Sequence, residues 1–276
     1  MTHSLRLGIG IVTYNRRHLL SDTIARVRDL TRWPNTVLAI ADDGSTDGTM
    51  QMLRERGLPV VTGANMGVCW NKNRALFLLN QLLNCDVVLL LEDDSQPNRA
   101  GWEAEWIEAV RLYGHINYAG PWLRDHFISG SGTAADPIRA SAVTAQCAGY
   151  GRACLTYGGY FDSRFHGYGH GHVEHTRRLV RTGYGGMVND AENGNAVEFW
   201  LLLGDIVATD APSFYSEAQA DRNWQVAADL MGDETYRAPW RNRAEMSQFR
   251  SEMEGAMRRH PRGYALHTRS RVLGPS

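Results

Sequence analysis

The chain has 276 residues, 43% of them hydrophobic, which is enough to bury a substantial core. Its formal net charge is −1, which excludes a global electrostatic attraction to nucleic acid or to a membrane surface. No apolar run reaches the length of a membrane span, and the first residues lack a basic-then-apolar leader. We therefore expect a cytoplasmic protein, with peripheral association with a membrane left open.

The first hundred residues alternate predicted strands with predicted helices. Apolar runs predict four strands, at residues 5–12, 36–41, 58–62 and 87–91. Helical periodicity follows each of the first three strands. This order is typical of a mostly parallel, doubly wound α/β sheet flanked by helices. Since right-handed crossovers place the turns after such strands at one edge of the sheet, we expect these turns to lie together.

The turns after these strands carry polar side chains, and the fourth turn is the most acidic. Tyr14 follows the first strand, Asp42 and Asp43 follow the second, and the run from Glu92 to Asp94 ends the fourth. Adjacent carboxylates repel one another and are costly to bury unless a cation compensates them. Oxygen ligands at this edge of a sheet suit Mg²⁺ or Mn²⁺ bridging to phosphate. The alternative interpretation is an acidic turn that water solvates.

Four motifs, in this order, carry a family resemblance: VTYN, ADDGSTDGT, ANMGVCWNKNRA and LLLEDDSQP. Together they resemble the nucleotide-sugar half of family-2 glycosyltransferases, which have the GT-A (Rossmann-like) fold. The resemblance implies a nucleotide-diphosphate sugar donor, commonly a UDP sugar, bound with Mn²⁺ or Mg²⁺. It also implies that Asp94 holds the metal, together with Glu92, which replaces the first aspartate of the family's DxD motif.

The same resemblance implies a donor site. Thr13 and Tyr14 would lie near the base, Asp42 or Asp43 would bond to the base or ribose, and Lys72 would reach the nucleotide. The alternative for Lys72 is a surface position on its helix. The complete set of residues that the resemblance assigns to the donor is Thr13, Tyr14, Asn15, Asp42, Asp43, Asn65, Lys72, Glu92 and Asp93.

Residues 149–184 resemble the acceptor-side block of the same family. The segment GGYFD, residues 158–162, fits its GGFD-like turn, and the helix after that turn carries the family's general base. The family usually has Glu-Asp just before this helix, where the present chain has Gly171-His172, with Glu174 two residues later. His172 is favoured as the base, because it stands in the position of the Asp and an unperturbed pKa of about 6.5 suits this role. Glu174 is the alternative.

The carboxyl-terminal part is basic and predicted to be helical. Residues 237–276 contain nine Arg and three Glu, a balance of +6, so that residues 1–236 carry −7. Between residues 243 and 259 a stripe of apolar side chains recurs at helical spacing, which indicates either a core contact or the interface of a homodimer. The stripe consists of Met246, Phe249, Met253 and Met257.

These observations predict a metal-dependent, inverting glycosyltransferase that moves a sugar from a nucleotide diphosphate, commonly UDP, to a hydroxyl acceptor. Residues 1–236 would form the GT-A domain, with a nucleotide-sugar half (1–100) and an acceptor half (101–236), and residues 237–276 a helical extension. The acceptor is open: a glycan, a lipid-linked sugar, a metabolite or a modified nucleic acid. One alternative is a catalytically weak nucleotide-sugar-binding module, because Gly171-His172 replaces Glu-Asp. Another is a sugar-phosphate nucleotidyltransferase, disfavoured because no glycine-rich, lysine-bearing loop follows the first strand.

Overall fold

The computed structural model describes residues 4–167, 169–189, 197–209, 216–231, 236–261 and 263–266. Within these residues the chain forms a ten-stranded sheet, a separate two-stranded sheet and helices. No helix in the described part of the chain is long and apolar enough to cross a membrane.

The strands and helices have the following bounds. The strands are β1 (Leu7–Thr13), β2 (Thr36–Asp42), β3 (Val60–Thr62), β4 (Val87–Glu92), β5 (Ser95–Pro97), β6 (His115–Tyr118), β7 (Phe127–Ser129), β8 (Ile138–Ala140), β9 (Cys147–Gly151), β10 (Gly186–Val188), β11 (Val197–Leu202) and β12 (Ile206–Ala208). The helices are α1 (Arg17–Leu30), α2 (Thr49–Glu55), α3 (Val68–Phe77), α4 (Glu103–Tyr113), α5 (Arg152–Tyr157), α6 (Gly171–Arg181), α7 (Glu217–Asp229) and α8 (Arg243–Arg259). A π-helical turn, Leu78–Leu82, continues α3.

The large sheet has the order β3-β2-β1-β4-β9-β6-β11-β8-β7, with β10 paired to β11. Strands β1 to β4 are mutually parallel, and β6, β7 and β11 run in the same direction, whereas β8, β9 and β10 run in the opposite one. Seven of these ten strands therefore share one direction, and the predicted mostly parallel α/β sheet is confirmed. The all-parallel half is formed by the four predicted strands of the first hundred residues.

The two faces of the sheet are covered by different helices. Leu7, Ile9 and Ile11 of β1 belong to a core with α1, α2 and α4. On the opposite face α3, α5, α6 and α8 pack, and here β1 presents Gly8 and Gly10. A Cβ on Gly8 would lie 2.9 Å from Sγ of Cys85, and one on Gly10 would lie 3.0 Å from a methyl carbon of Leu90. The glycines of β1 therefore allow close packing on this face, as glycines within strands often do.

Helix α8 packs on the sheet of the nucleotide half. Phe249 and Met253 of the predicted stripe are buried, which supports the core interpretation for these two side chains, whereas Met257 is 40% exposed. Beyond the helix, Nε2 of His260 accepts a hydrogen bond from the backbone N–H of Val60, and the Tyr264 carbonyl accepts one from Leu38. The segment after α8 thus lies at the amino-terminal ends of the strands, the edge opposite the sequence motifs. Residues 262 and 267–276 of the predicted extension lie outside the described residues.

Candidate active site

The turns that follow β1, β2 and β4 meet at the carboxyl edge of the sheet, as the parallel order predicts. The backbone N–H of Asp43 donates to the Thr13 carbonyl (3.1 Å), and the Asn71 side chain donates to the carbonyls of Thr13 (3.2 Å) and Ala41 (2.8 Å). The Thr13 hydroxyl donates to Oδ2 of Asp93 at 2.6 Å. Asn71 of α3 therefore joins the ends of β1 and β2, and Thr13 joins β1 to the turn after β4.

The acidic turn contains three carboxylates and two neighbouring cations. Nη1 of Arg16 lies 3.2 Å from Oδ1 of Asp93 and 2.9 Å from Oδ2 of Asp94. Nζ of Lys72 lies 2.7 Å from Oε1 of Glu92. Lys72 is only 2% exposed, so the surface alternative for this residue is wrong. With all five groups ionised, the cluster retains one net negative charge, from three carboxylates against two cations.

Burial makes this negative charge costly. It raises the pKa of Asp93 to about 7, against the opposing effects of the Thr13 hydroxyl and Arg16. Burial, followed by the charge of Glu92, also raises the pKa of Asp94. A further cation at the cluster would relieve this cost.

The carboxylate oxygens of the cluster suit a divalent cation that a phosphate group also coordinates. Among the described residues, Oδ1 of Asp94 accepts one long hydrogen bond, of 3.4 Å, from the Ser95 hydroxyl. In the described part of the chain no group of three or more His, Cys, Asp and Glu side chains is arranged to hold a metal ion. One or two carboxylates, completed by waters and substrate phosphates, are a usual protein contribution for Mg²⁺. Asp94 and Glu92 could supply these.

The two aspartates after β2 differ in what they bind. Oδ1 of Asp43 accepts hydrogen bonds from the Met66 backbone (3.0 Å) and from Arg74 (2.7 Å), and Oδ2 accepts one from the Gly67 backbone (2.8 Å). Both oxygens of Asp43 are therefore engaged in holding the loop before α3.

Asp42 keeps one oxygen available. Its Oδ2 accepts hydrogen bonds from the backbones of Gly44 and Ser45 and from the Thr62 hydroxyl, at 3.0–3.1 Å. Its Oδ1 is buried and has no hydrogen-bond partner among the described residues. A buried carboxylate oxygen without a donor is costly, and a ligand N–H or O–H would satisfy it. Of the two predicted residues, the geometry favours Asp42 for contact with a base or ribose.

The other predicted donor residues border this position. The Asn15 side chain accepts a hydrogen bond from the Thr46 backbone (2.7 Å), and the Asn15 backbone donates to the Ser45 hydroxyl (2.8 Å), so that Asn15 ties the first loop to the second. Tyr14 is half-buried and Asn65 is exposed. Gly44 (φ +77°) allows the loops to meet, because a Cβ there would lie 3.0 Å from the Asn65 nitrogen.

The GGYFD turn of the acceptor half is anchored to α3. The Asn73 amide donates to the Phe161 carbonyl and accepts from the Phe161 backbone N–H, both at 2.9 Å. The Phe161 ring stacks on the His172 imidazole with 6.2 Å between centroids, and Nζ of Lys72 lies 5.7 Å from the Phe161 centroid. His172 is therefore on the same side of the sheet edge as Lys72 and Glu92.

His172 lies in the first turn of α6. Its Nε2 is 3.0 Å from Oδ1 of Asn117, and its Nδ1 is buried. Burial, with a smaller effect of the Lys72 charge, lowers the pKa of His172 well below 6.5. The pKa near 6.5 assumed from the sequence is thus wrong, since the imidazole is removed from water. A neutral imidazole remains a proton acceptor at neutral pH.

Glu174, the alternative base, is held in a buried ion pair. Its Oε1 lies 3.0 Å from Nε of Arg178 and 3.5 Å from Nε of Arg237. Arg178 also donates to the carbonyls of Gly158 and Tyr160, and thereby ties α6 to the GGYFD turn. Two guanidinium groups engage the Glu174 carboxylate in ion pairs, so the geometry favours His172.

Several side chains at the site were not predicted from the sequence. Arg16 follows VTYN directly, and its position after β1 was the available signal. Asn117 and Arg178 gave no signal, because their partners are distant in sequence or depend on the helix that begins at residue 171. Asn73 and Arg74 lie within the predicted helix that carries Lys72, but helical periodicity does not identify their partners.

We expect the protein to lose stability in acid through its buried imidazoles. Burial lowers the pKa of His115 to about 4, so between pH 4 and 6.5 the unfolded chain binds more protons at this position than the folded one. The contribution of neutral His115 to the free energy of unfolding is full above pH 6.5 and falls as the pH drops toward 4. At pH 5.5 it has decreased by about 1.4 kcal/mol. Urea unfolding at pH 7.5 and 5.5 measures it. His115→Gln should reduce the pH-dependent loss by this amount, His18→Gln at an exposed position should leave it unchanged, and equal losses in both variants would contradict the assignment.

Comparisons with known proteins agree with the fold described above. Residues 9–119 match the family model described as Glycosyl transferase family 2. Among solved structures, the mannosyltransferase PcManGT from Pyrobaculum calidifontis, in complex with GDP-Man and Mn²⁺, is similar with a TM-score of 0.51 and 16% identity, over 66% of this chain and 54% of that one. No curated protein matches the chain significantly.

Two further solved structures are similar over most of the chain. GalNAc-T7 with UDP, GalNAc and Mn²⁺ has a TM-score of 0.59 and 12% identity, over 94% of this chain and 57% of that one. TarS 1–349 of S. aureus in complex with UDP has a TM-score of 0.54 and 14% identity, over 93% of this chain and 72% of that one. The chain spans little more than half the length of PcManGT and GalNAc-T7. Identities this low show the fold alone, and they confirm the predicted GT-A fold.

Proposed function

We propose that this chain, whose residues 9–119 match the Glycosyl transferase family 2 model and whose fold is GT-A, transfers a sugar from a nucleotide diphosphate to a hydroxyl acceptor, with a divalent cation and with inversion. One observation carries the proposal. At the carboxyl end of β4, two buried carboxylates and the half-buried Glu92 share two cationic side chains, and at the same edge of the sheet the end of β2 holds a carboxylate oxygen without a hydrogen-bond partner among the described residues. The first feature suits a metal-bound diphosphate and the second a nucleoside.

Asp94 and Glu92 are the proposed metal ligands. Two similar structures are complexes with Mn²⁺, one with GDP-Man and the other with UDP and GalNAc, which supports the choice of Mn²⁺ or Mg²⁺. When bound, the cation supplies charge neutralisation for the departing diphosphate. Arg16 and Lys72, which are the counter-charges of the carboxylates, supply positive charge at the same position.

Asp42 is the proposed contact for the nucleoside. Its free Oδ1 suits a donor such as the imino N–H of a pyrimidine base or a ribose hydroxyl. Thr13, Tyr14 and Asn65 would complete this end of the site. Asn15 and Asp43 hold the surrounding loops rather than a ligand. UDP is proposed as the nucleotide because two similar proteins were solved with it, whereas a third was solved with GDP-Man.

His172 is the proposed general base. It would accept the proton of the acceptor hydroxyl while the hydroxyl oxygen attacks the anomeric carbon and the bond from that carbon to the diphosphate breaks. This single displacement inverts the anomeric configuration. Glu174 would hold α6 in place through Arg178. The acceptor is a glycan, a lipid-linked sugar, a metabolite or a modified nucleic acid.

Ligand-induced thermal shifts with nucleoside diphosphates, with and without Mn²⁺, test the donor part of the proposal. We expect UDP to raise the Tm, and to raise it further with Mn²⁺. Asp42→Asn should weaken UDP binding at least about tenfold, since it removes the charge that stabilises a bound N–H or O–H donor. Asp86→Asn, at the opposite end of β4, is the matched control and should bind UDP as the native chain does. Equal UDP affinity in the Asp42 variant would contradict the assignment.

The binding-module alternative rests on Gly171-His172, which stands where the family usually has Glu-Asp. Slow, metal-dependent release of nucleoside diphosphate from a sugar donor, measured by a coupled assay, distinguishes the two functions. Release supports the transferase, and tight binding without release supports the module.

The carboxyl-terminal helix retains a proposed role in dimerisation. An apolar groove lies between the π-helical turn and α8, and it is lined by Phe77, Leu82, Met253 and Met257. Leu82 and Met257 are 41% and 40% exposed. A second copy of the chain would cover these side chains, and the mass of the chain in solution tests this.

A further inference from the structure

Two polar residues of β6 lie next to the proposed base, which Asn117 contacts directly and His115 through Asn117. His115 and Asn117 are two positions apart on the strand, so their side chains project from the same face of the sheet. Both are fully buried. Nε2 of His115 lies 3.0 Å from the Asn117 amide nitrogen, and Oδ1 of Asn117 lies 3.0 Å from Nε2 of His172. The three side chains therefore form one continuous hydrogen-bonded row.

The contact of His115 with the Gly149 carbonyl fixes the positions of the protons in this row. Nδ1 of His115 lies 2.8 Å from the Gly149 carbonyl, which can only accept a hydrogen bond, so Nδ1 carries the proton. His115 is buried and neutral, because burial lowers its pKa to about 4, and its Nε2 therefore carries a lone pair. That lone pair must face a donor, which is the Asn117 amide group. The Asn117 carbonyl oxygen is then directed at His172, whose Nε2 must donate.

We propose that Asn117 and His115 are positioning residues that hold His172 in the tautomer with its proton on Nε2, so that Nδ1 is the atom that accepts the hydroxyl proton. The opposite orientation of the Asn117 amide would require His115 to present a lone pair to the Gly149 carbonyl at 2.8 Å, which is repulsive. The hydrogen bonds of this row therefore have one allowed direction of donation. This inference rests on the proposed transferase function, in which His172 is the base.

The surroundings of Nδ1 agree with this role. Nδ1 of His172 is buried and has no hydrogen-bond partner of acceptable geometry among the described residues. Buried acceptors are usually satisfied, and the O–H of a bound sugar acceptor would satisfy this one. The proton moves from the hydroxyl oxygen to Nδ1 while Nε2–H stays bonded to Asn117.

Nitrogen NMR of the native protein labelled with ¹⁵N-histidine tests the tautomer without requiring turnover. The correlations between ring nitrogens and carbon-bound protons distinguish Nε2–H from Nδ1–H, and the His172→Gln spectrum identifies the His172 signals. We expect His172 as the neutral Nε2–H form and His115 as the Nδ1–H form. His172 observed as the Nδ1–H form would overturn the inference. A correct tautomer in a protein that releases no nucleoside diphosphate would instead contradict the proposed function.

Variants of Asn117 test its effect on the reaction. Asn117→Leu should give a mixture of His172 tautomers and lower kcat about tenfold or more, with the donor KM unchanged, because the base is no longer oriented. Asn117→Asp should retain the Nε2–H form and most of kcat, because its carboxylate still accepts from His172. Asn80→Leu, another fully buried asparagine, is the matched control and should leave kcat unchanged. Native kcat and tautomer in Asn117→Leu, or an equal loss in the Asp and Leu variants at native Tm, would contradict the assignment.

Discussion

Asp94→Asn is expected to lower kcat for sugar transfer by a factor of about 10² to 10³. Asp94 is the proposed metal ligand whose Oδ1 is least engaged by other groups, and it lies in a cluster with one excess negative charge. A bound metal contributes several kcal/mol of charge stabilisation to a departing oxyanion, and each 1.4 kcal/mol corresponds to a factor of about ten. The measurement is kcat at saturating donor and Mn²⁺, together with the Mn²⁺-dependent part of the thermal shift, which should disappear.

Two variants make this result specific. Asp86→Asn introduces the same chemical change at the amino end of β4, where the carboxylate accepts from the Arg6 backbone, and should leave kcat and the Mn²⁺ shift unaffected. Arg16→Gln should act in the opposite direction on metal binding. It removes one of two cations and leaves a net charge of −2, so Mn²⁺ should bind more tightly although the metal-free protein is less stable. An Mn²⁺-dependent shift of native size in Asp94→Asn would show that the metal binds elsewhere.

Arg74→Met is expected to reduce the free energy of unfolding by about 3–5 kcal/mol, the usual cost of removing one partner from a buried ion pair. The Arg74 side chain is fully buried and lies 2.7 Å from Oδ1 of Asp43 and 2.9 Å from Oε2 of Glu252. It also donates to the Ala64 carbonyl at 2.8 Å. Methionine fills the volume but leaves two carboxylates without their counter-charge. Urea unfolding measures the loss.

The chain offers a matched control for Arg74. Arg258→Met removes a guanidinium from the same region, but its pair with Glu254 is about 70% exposed on both sides and should contribute at most about 1 kcal/mol. Adding Glu252→Met to Arg74→Met should recover part of the loss, because one unpaired carboxylate is removed. A loss below about 1 kcal/mol for Arg74→Met would show that water reaches this network and that α8 is not held through it.

The Arg74 network also links stability to the donor site. Asp43, which Arg74 binds, holds the backbone of Met66 and Gly67 before α3, and α3 carries Lys72. Glu252, the other partner, lies on α8. The basic carboxyl-terminal segment predicted from charge alone is thus connected to the loop that follows β2, and a change in α8 would be transmitted to that loop through a single guanidinium.

The sequence by itself determined the parallel half of the sheet and the place of the site. Four short apolar runs, separated by helical periodicity, specify β1 to β4, because chirality allows essentially one arrangement of successive parallel strands. The polar turns after these runs must then share an edge. This is why Thr13, Asp42 and Asp94 could be assigned to one site from local pattern and family motifs.

Only the tertiary structure decided which polar groups are already engaged. Asp42 and Asp43 are the same residue type in adjacent positions, yet Arg74 of α3 and the loop before α3 satisfy both oxygens of Asp43, whereas Oδ1 of Asp42 has no donor among the described residues. The ionisation of His172 likewise depends on its burial beside Lys72. Hydrogen-bond partners, desolvation and proton positions are properties of long-range contacts, and neither spacing nor periodicity along the chain contains them.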